Sequence, residues 1–129
     1  MNLILGALFG AIFMFFGVLL GALGSHALAE KLSANSMVSF MVAVRYLIYH
    51  GLALLMLSGL PSISEIVKER VVLLLVTGTV VFSLSILLLS TKSIHGLAVS
   101  FLGPITPIGG LILLLGWGYL IVQFIRVLF

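Results

Sequence analysis

The sequence predicts an all-α integral membrane protein, a four-helix bundle whose helices run up-down-up-down. Three observations predict it. Of 129 residues, 63% are hydrophobic and 7% charged, where soluble domains carry about a quarter charged residues, and the mean hydropathy is +1.44. Four apolar runs each approach the roughly 20 residues that cross a hydrocarbon core about 30 Å thick. The connections between them are short, which makes neighbouring spans antiparallel and leaves little irregular backbone to lie exposed in lipid. The chain is too short for two domains of ordinary size and reads as one unit over residues 1–129.

The first run, residues 3–28, lacks the basic leader and the A-x-A site of a signal peptide and is read as a span. At 100° per residue Gly6, Gly10, Gly17, Gly21 and Gly24 project within an arc of about 60°. Gly6/Gly10 and Gly17/Gly21 are small-xxx-small pairs of the kind that lets helices approach closely. The stripe serves packing inside the bundle, or else a seam between copies of the chain. The polar turn AEKLSANS leads to the second run, residues 37–60, which stops before Pro61. SISEIVKER separates it from the third, residues 71–90. After TKSIH and a less polar connection, ITPIGG opens the fourth, residues 107–127. Thr106 is placed to cap that helix, Pro107 to begin it, and Gly109 and Gly110 to admit a neighbour.

Four spans leave both termini on one side, with Lys68, Arg70 and Arg126, while Lys31 and Lys92 lie on the other. That bias favours termini in the cytoplasm of a plasma or inner membrane. The formal charge of +3 comes from few basic residues, mostly at span ends. They read as topology signals and headgroup contacts, so the lipid bilayer is the expected partner and nucleic acid is not. Cysteine is absent, which excludes disulfides and thiolate metal sites.

The polar residues inside the spans are the candidate site. On the second span Val38, Val42, Arg45, Tyr49, Ala53 and Met56 share one face, with Tyr46 and His50 beside it. Arg45 is eight residues beyond Met37, about 12 Å along a helix. There it can snorkel or meet Glu30, the one acidic residue at that end. A Glu30–Arg45 pair at the bundle interior or its outer mouth is therefore expected, with an anion, substrate or headgroup contact as the alternatives. His50 is expected to hydrogen-bond across helices, to Thr79 or Ser83, with proton relay as the competing role. His26 and His50 differ in depth by roughly 15 Å, too much for one haem. His26 and His95 sit at the same end, but two imidazoles do not complete a metal site. Met37 and Met41 read as packing rather than copper ligands. No cofactor and no metal are expected, and no catalytic constellation emerges.

Four stretches together resemble a known family. GALGSHAL (21–28), RYLIYHGLALL (45–55), FSLSILLLS (82–90) and GPITPIGGLILLLGW (103–117) are similar to the signature blocks of the domain of unknown function 423 family. The resemblance implies a small four-span membrane protein, with His26, Arg45, Tyr46, His50, Thr106, Pro107, Gly109 and Gly110 at the family's motif positions. Leu47 departs from the glutamine usual after Arg-Tyr, and Ser85-Ile86 departs from a small-aromatic pattern. The family has no agreed activity. Two functions stay open: a non-enzymatic, self-associating or accessory subunit of a membrane complex, or a small transporter or channel for protons, a metal ion or an anion that uses His26, Arg45 and His50.

Overall fold

The computed structural model describes residues 3–129. Four long helices are apolar and long enough to cross a membrane: α1 (Leu3–Ser25), α2 (Ala34–Ser58), α3 (Glu65–Ser90) and, after the one-turn α4 (Lys92–His95) and a 3-10 turn (Ser100–Leu102), α5 (Ile105–Leu128). They form an up-down-up-down bundle, and no strand occurs among the described residues. The packing is not evenly closed. The first helix lies closely on the second, and α3 closely on α5, while α2 and α3 join the two pairs. Among the described residues, no backbone approach within 8 Å connects α2 with α5 or α1 with α5. A lateral cleft therefore runs between α2 and α5, with α3 behind it.

Glycine makes both tight pairs possible. A Cβ added to Gly10 would meet the Gly51 carbonyl at 2.9 Å, and one added to Gly51 would meet the Gly10 carbonyl at 3.0 Å. With no side chain on either, the two backbones sit against each other. Gly17 faces Ile48 and Gly24 faces Phe40, while Gly6 packs on Val72 of α3 and Ser58. The α1 stripe is thus turned inward, within one chain. In the second pair, Gly78 accepts Leu113 and Gly109 accepts the backbone of Phe82.

The helix ends differ from the apolar runs for identifiable reasons. Helix α1 stops at Ser25, short of Leu28. The Leu28 N–H closes instead on the Leu23 carbonyl at 2.9 Å, and Leu28 packs with Leu32, Phe40 and Val44 in a small apolar plug beneath the turn. Leu28 and Leu32 of the turn thus pack onto α2 instead of extending the first span. Helix α2 starts three residues earlier than Met37, because Ser33 Oγ accepts the Ser36 N–H at 3.2 Å and caps it. Helix α3 takes in the charged stretch from Glu65 onward, which hydropathy alone treats as loop. Glu65 suits the positive end of the helix, and Lys68 is only 4% exposed, its stem against the core and its ammonium 3.3 Å from Glu65.

The start of α5 corrects the expected cap. Pro104 occupies the N-cap position and Ile105 the first turn, so Thr106 lies inside the helix and caps nothing. Pro107 does not begin it either. Prolines at 104 and 107 are both tolerated because the first N–H groups of a helix have no intrahelical partner to lose. The Thr106 hydroxyl lies 3.2 Å from the Leu102 carbonyl and 2.7 Å from Ser85 Oγ of α3, while Ser85 Oγ also approaches the Phe82 carbonyl at 2.9 Å. Two hydroxyl protons can satisfy only two of these three contacts at once, so the tie between α3 and α5 forms when one hydroxyl turns from its backbone carbonyl to the other oxygen.

Candidate functional site

Several polar side chains of the spans gather at the α2–α5 cleft. Tyr46, Tyr49 and His50 project from α2, and Pro107, Gly110, Leu111, Leu113, Leu114 and Trp117 from α5. The open cleft offers about 690 Å³ and its walls are chiefly apolar. His50 sits at its floor, 5% exposed. Its Nδ1–H donates to the Tyr46 carbonyl at 2.8 Å, and its Nε2 accepts the Trp117 Nε1–H at 3.2 Å. A donor on one nitrogen and an acceptor on the other describe one neutral tautomer, fully engaged. The Tyr46 ring lies between, 5.6 Å from the imidazole and 4.3 Å from Phe82 of α3 by ring centroids. With Trp117 of α5, whose ring lies 6.0 Å from the imidazole, Phe82 of α3 and Tyr46 and His50 of α2 thus link three helices through one row of rings.

His50 bonds to neither Thr79 nor Ser83, which corrects the expected pairing. Ser83 Oγ donates instead to the Ala43 carbonyl of α2 at 3.2 Å, a different interhelical tie. Thr79 Oγ1 is buried without a hydrogen-bond partner among the described residues. Trp117 was not singled out as a partner, although it closes the GPITPIGGLILLLGW stretch. The usable signal was depth: α2 and α5 run parallel, and both residues fall near the middle of their helices.

The expected Glu30–Arg45 pair is also corrected. Arg45 is exposed on the outward face of α2, and Glu30 is exposed in the turn after α1. The Lys68–Glu65 ion pair lies at the other end of the bundle. The reason is rotational. Val44 and Leu47, about 100° and 160° round the helix from Arg45, are buried, and that turns Arg45 away from the interior. Starting from Ala34 rather than Met37 also sinks Arg45 to about three turns from either end of α2. Tyr49, one turn on, is 59% exposed on the same side. Arg45→Ala and Glu30→Gln are each expected to change stability by no more than about 0.5 kcal/mol, as exposed positions do. Their double variant should show the simple sum in thermal unfolding, and a coupling above about 1 kcal/mol would restore the pair.

The remaining histidines lie apart from the cleft. His26 is exposed in the turn after α1. His95 is held by backbone: Nδ1 accepts the Leu97 N–H at 3.0 Å and Nε2–H donates to the Leu88 carbonyl at 2.9 Å. Both its nitrogens are occupied, and among the described residues no three His, Cys, Asp or Glu side chains cluster as metal ligands. Thr106 lies near a second, polar hollow of about 340 Å³ lined also by Asn35, Ser36, Ser39, Ser90 and Lys92. The structure brings Tyr46, Tyr49 and His50 together at the cleft, leaves Arg45 beside Tyr49 on the outer face of α2 but outside the cleft lining, and sets His26, Glu30 and His95 in the connections between the long helices.

Comparison with known proteins agrees with this architecture. The model of a family described as "Protein of unknown function (DUF423)" matches residues 20–110. A UPF0382 membrane protein of Staphylococcus haemolyticus is 38% identical over 114 residues, covering 88% of this chain and 89% of its own. One from Schizosaccharomyces pombe is 39% identical over 106 residues, 80% of this chain and 86% of its own. One from Bacillus subtilis is 32% identical over 126 residues, 92% and 94% respectively. No solved structure matches.

Proposed function

The chain belongs to the DUF423 family of membrane proteins, and from that premise we propose that it acts as a non-enzymatic accessory subunit of a larger membrane complex, a single unit that presents its α2 face to a partner. The observation that carries this reading is Arg45, a cation exposed three turns from either end of a membrane helix with no carboxylate paired to it among the described residues. Such residues belong against protein or a wet path. Transport is disfavoured by the arrangement of the other polar groups. Both nitrogens of His50 are spent on Tyr46 and Trp117, and Arg45 and His26 do not share its cleft. Termini on the cytoplasmic side of a plasma or inner membrane fit the excess of Lys68, Arg70 and Arg126 over Lys31 and Lys92.

Gentle solubilisation followed by native mass spectrometry tests the proposal. The 13.8 kDa chain is expected within a heavier assembly that contains a second kind of polypeptide. Recovery as a lone monomer, together with a proton or ion flux into vesicles that His50→Phe abolishes, would replace this reading by the transport one.

A further inference from the structure

Arg45 also constrains what the partner is. The chain contains three acidic residues, and none lies at its depth: Glu30 is in the turn after α1, and Glu65 and Glu69 are in the opening turns of α3. A second copy of the chain docked by the same face around a two-fold axis would set arginine near arginine in a low-dielectric medium, with no carboxylate to offset either charge. The α1 glycines offer no alternative seam, since they face α2 and α3 of their own chain. Lipid phosphates sit at the interface, and side chains that snorkel to them stand near helix ends. Arg45 stands in the middle.

The surface around it suits a helix. Val38, Tyr49, Leu52 and Met56 are exposed along α2 on either side of the arginine, and Tyr49 continues into the α2–α5 cleft. This is an apolar strip with one central cation. We propose that the strip receives a transmembrane helix of a different protein, and that this helix carries a carboxylate at the depth of Arg45. A buried cation needs an opposite charge or strong acceptors, and a carboxylate meets the guanidinium with two parallel hydrogen bonds. The inference rests on the accessory-subunit reading and specifies its partner.

Because the chain has no cysteine, Ser62→Cys in the exposed turn between α2 and α3 gives a single labelling site. The labelled protein is reconstituted in phosphatidylcholine vesicles with model helices of about 20 apolar residues bearing one central Glu, Gln or Leu, and energy transfer is measured. The Glu helix is expected to bind at least about tenfold more tightly than the Leu helix. Arg45→Leu should erase that difference, as should moving the Glu two turns toward the helix end. Equal binding of Glu and Leu helices would overturn the inference. So would energy transfer only between copies of the protein, or an Arg45-dependent signal that arises only with phosphatidylglycerol, which would assign the cation to lipid. A heavier assembly in native membranes with no preference for the Glu helix would leave the subunit role standing and remove the carboxylate partner alone.

Discussion

Gly109→Ala is expected to destabilise the protein by about 3 kcal/mol, at the upper end of what a single added carbon costs in a packed interior. The new Cβ would lie 2.5 Å from the Phe82 nitrogen and 2.8 Å from its Cα. Those atoms are backbone, so no rotamer change relieves the clash and the two helices must part. Parting them moves Phe82, whose ring lies 4.3 Å from that of Tyr46, and so disturbs the contact of α3 with α2 as well. Neighbouring glycines supply the control. At Gly110 the nearest atoms are 3.8 Å away on the Phe82 ring, and at Gly118 nothing lies within 4 Å. Alanine at those positions should shift stability by less than about 1 kcal/mol. Thermal unfolding in mild detergent decides the matter: if Gly109→Ala melts with Gly118→Ala, the close α3–α5 approach is wrong.

The contrast among these glycines shows where sequence reasoning reached and where it stopped. Five glycines in one α1 stripe were legible because a period of 3.6 residues repeats them on one face. Gly51 and Gly78 were not, since each is alone on its helix face and gains meaning only from what crosses it, such as Gly10 opposite Gly51. The four apolar runs were legible as spans because hydropathy measures fitness for the bilayer directly. Their ends were not, since Lys68, part of α3, is buried and Leu28 packs, partly buried, in a turn.

Arg45 marks a deeper limit. In a soluble protein an apolar face points inward, so a polar arc announces its own direction. In a membrane, lipid and protein interior are equally apolar, and the arc through Val38, Arg45 and Tyr49 could have faced either way. Only the burial of Val44, Leu47 and Leu54 fixes the rotation of α2. Glu30 was selected as a partner by being the acid at the right end, which is a statement about depth and not about rotation.

Removing the imidazole of His50 is expected to destabilise the protein by about 1–2 kcal/mol and to change the emission of its single tryptophan. Interhelical hydrogen bonds in membranes average about 0.6 kcal/mol and reach about 1.7. The His50–Trp117 bond belongs at the upper end for two reasons. His50 is 5% exposed, so lipid-borne water cannot replace it, and this contact crosses a cleft that no close backbone approach spans. In His50→Phe the ring stack with Tyr46 survives while the acceptor for the Trp117 N–H is lost. Trp117→Phe removes the donor from the other side. If the bond carries the effect, the double variant should lose about 1 kcal/mol less than the sum of the two singles. The indole reports the same event optically, since its N–H exchanges a fixed acceptor for an apolar cleft, and the emission should move to shorter wavelength. Tyr49→Phe, on the exposed side of the same cleft, should leave both stability and emission where they were. Additive losses with an unmoved spectrum would mean that His50 and Trp117 only touch, and that α2 and α5 are held apart or together by the helix between them.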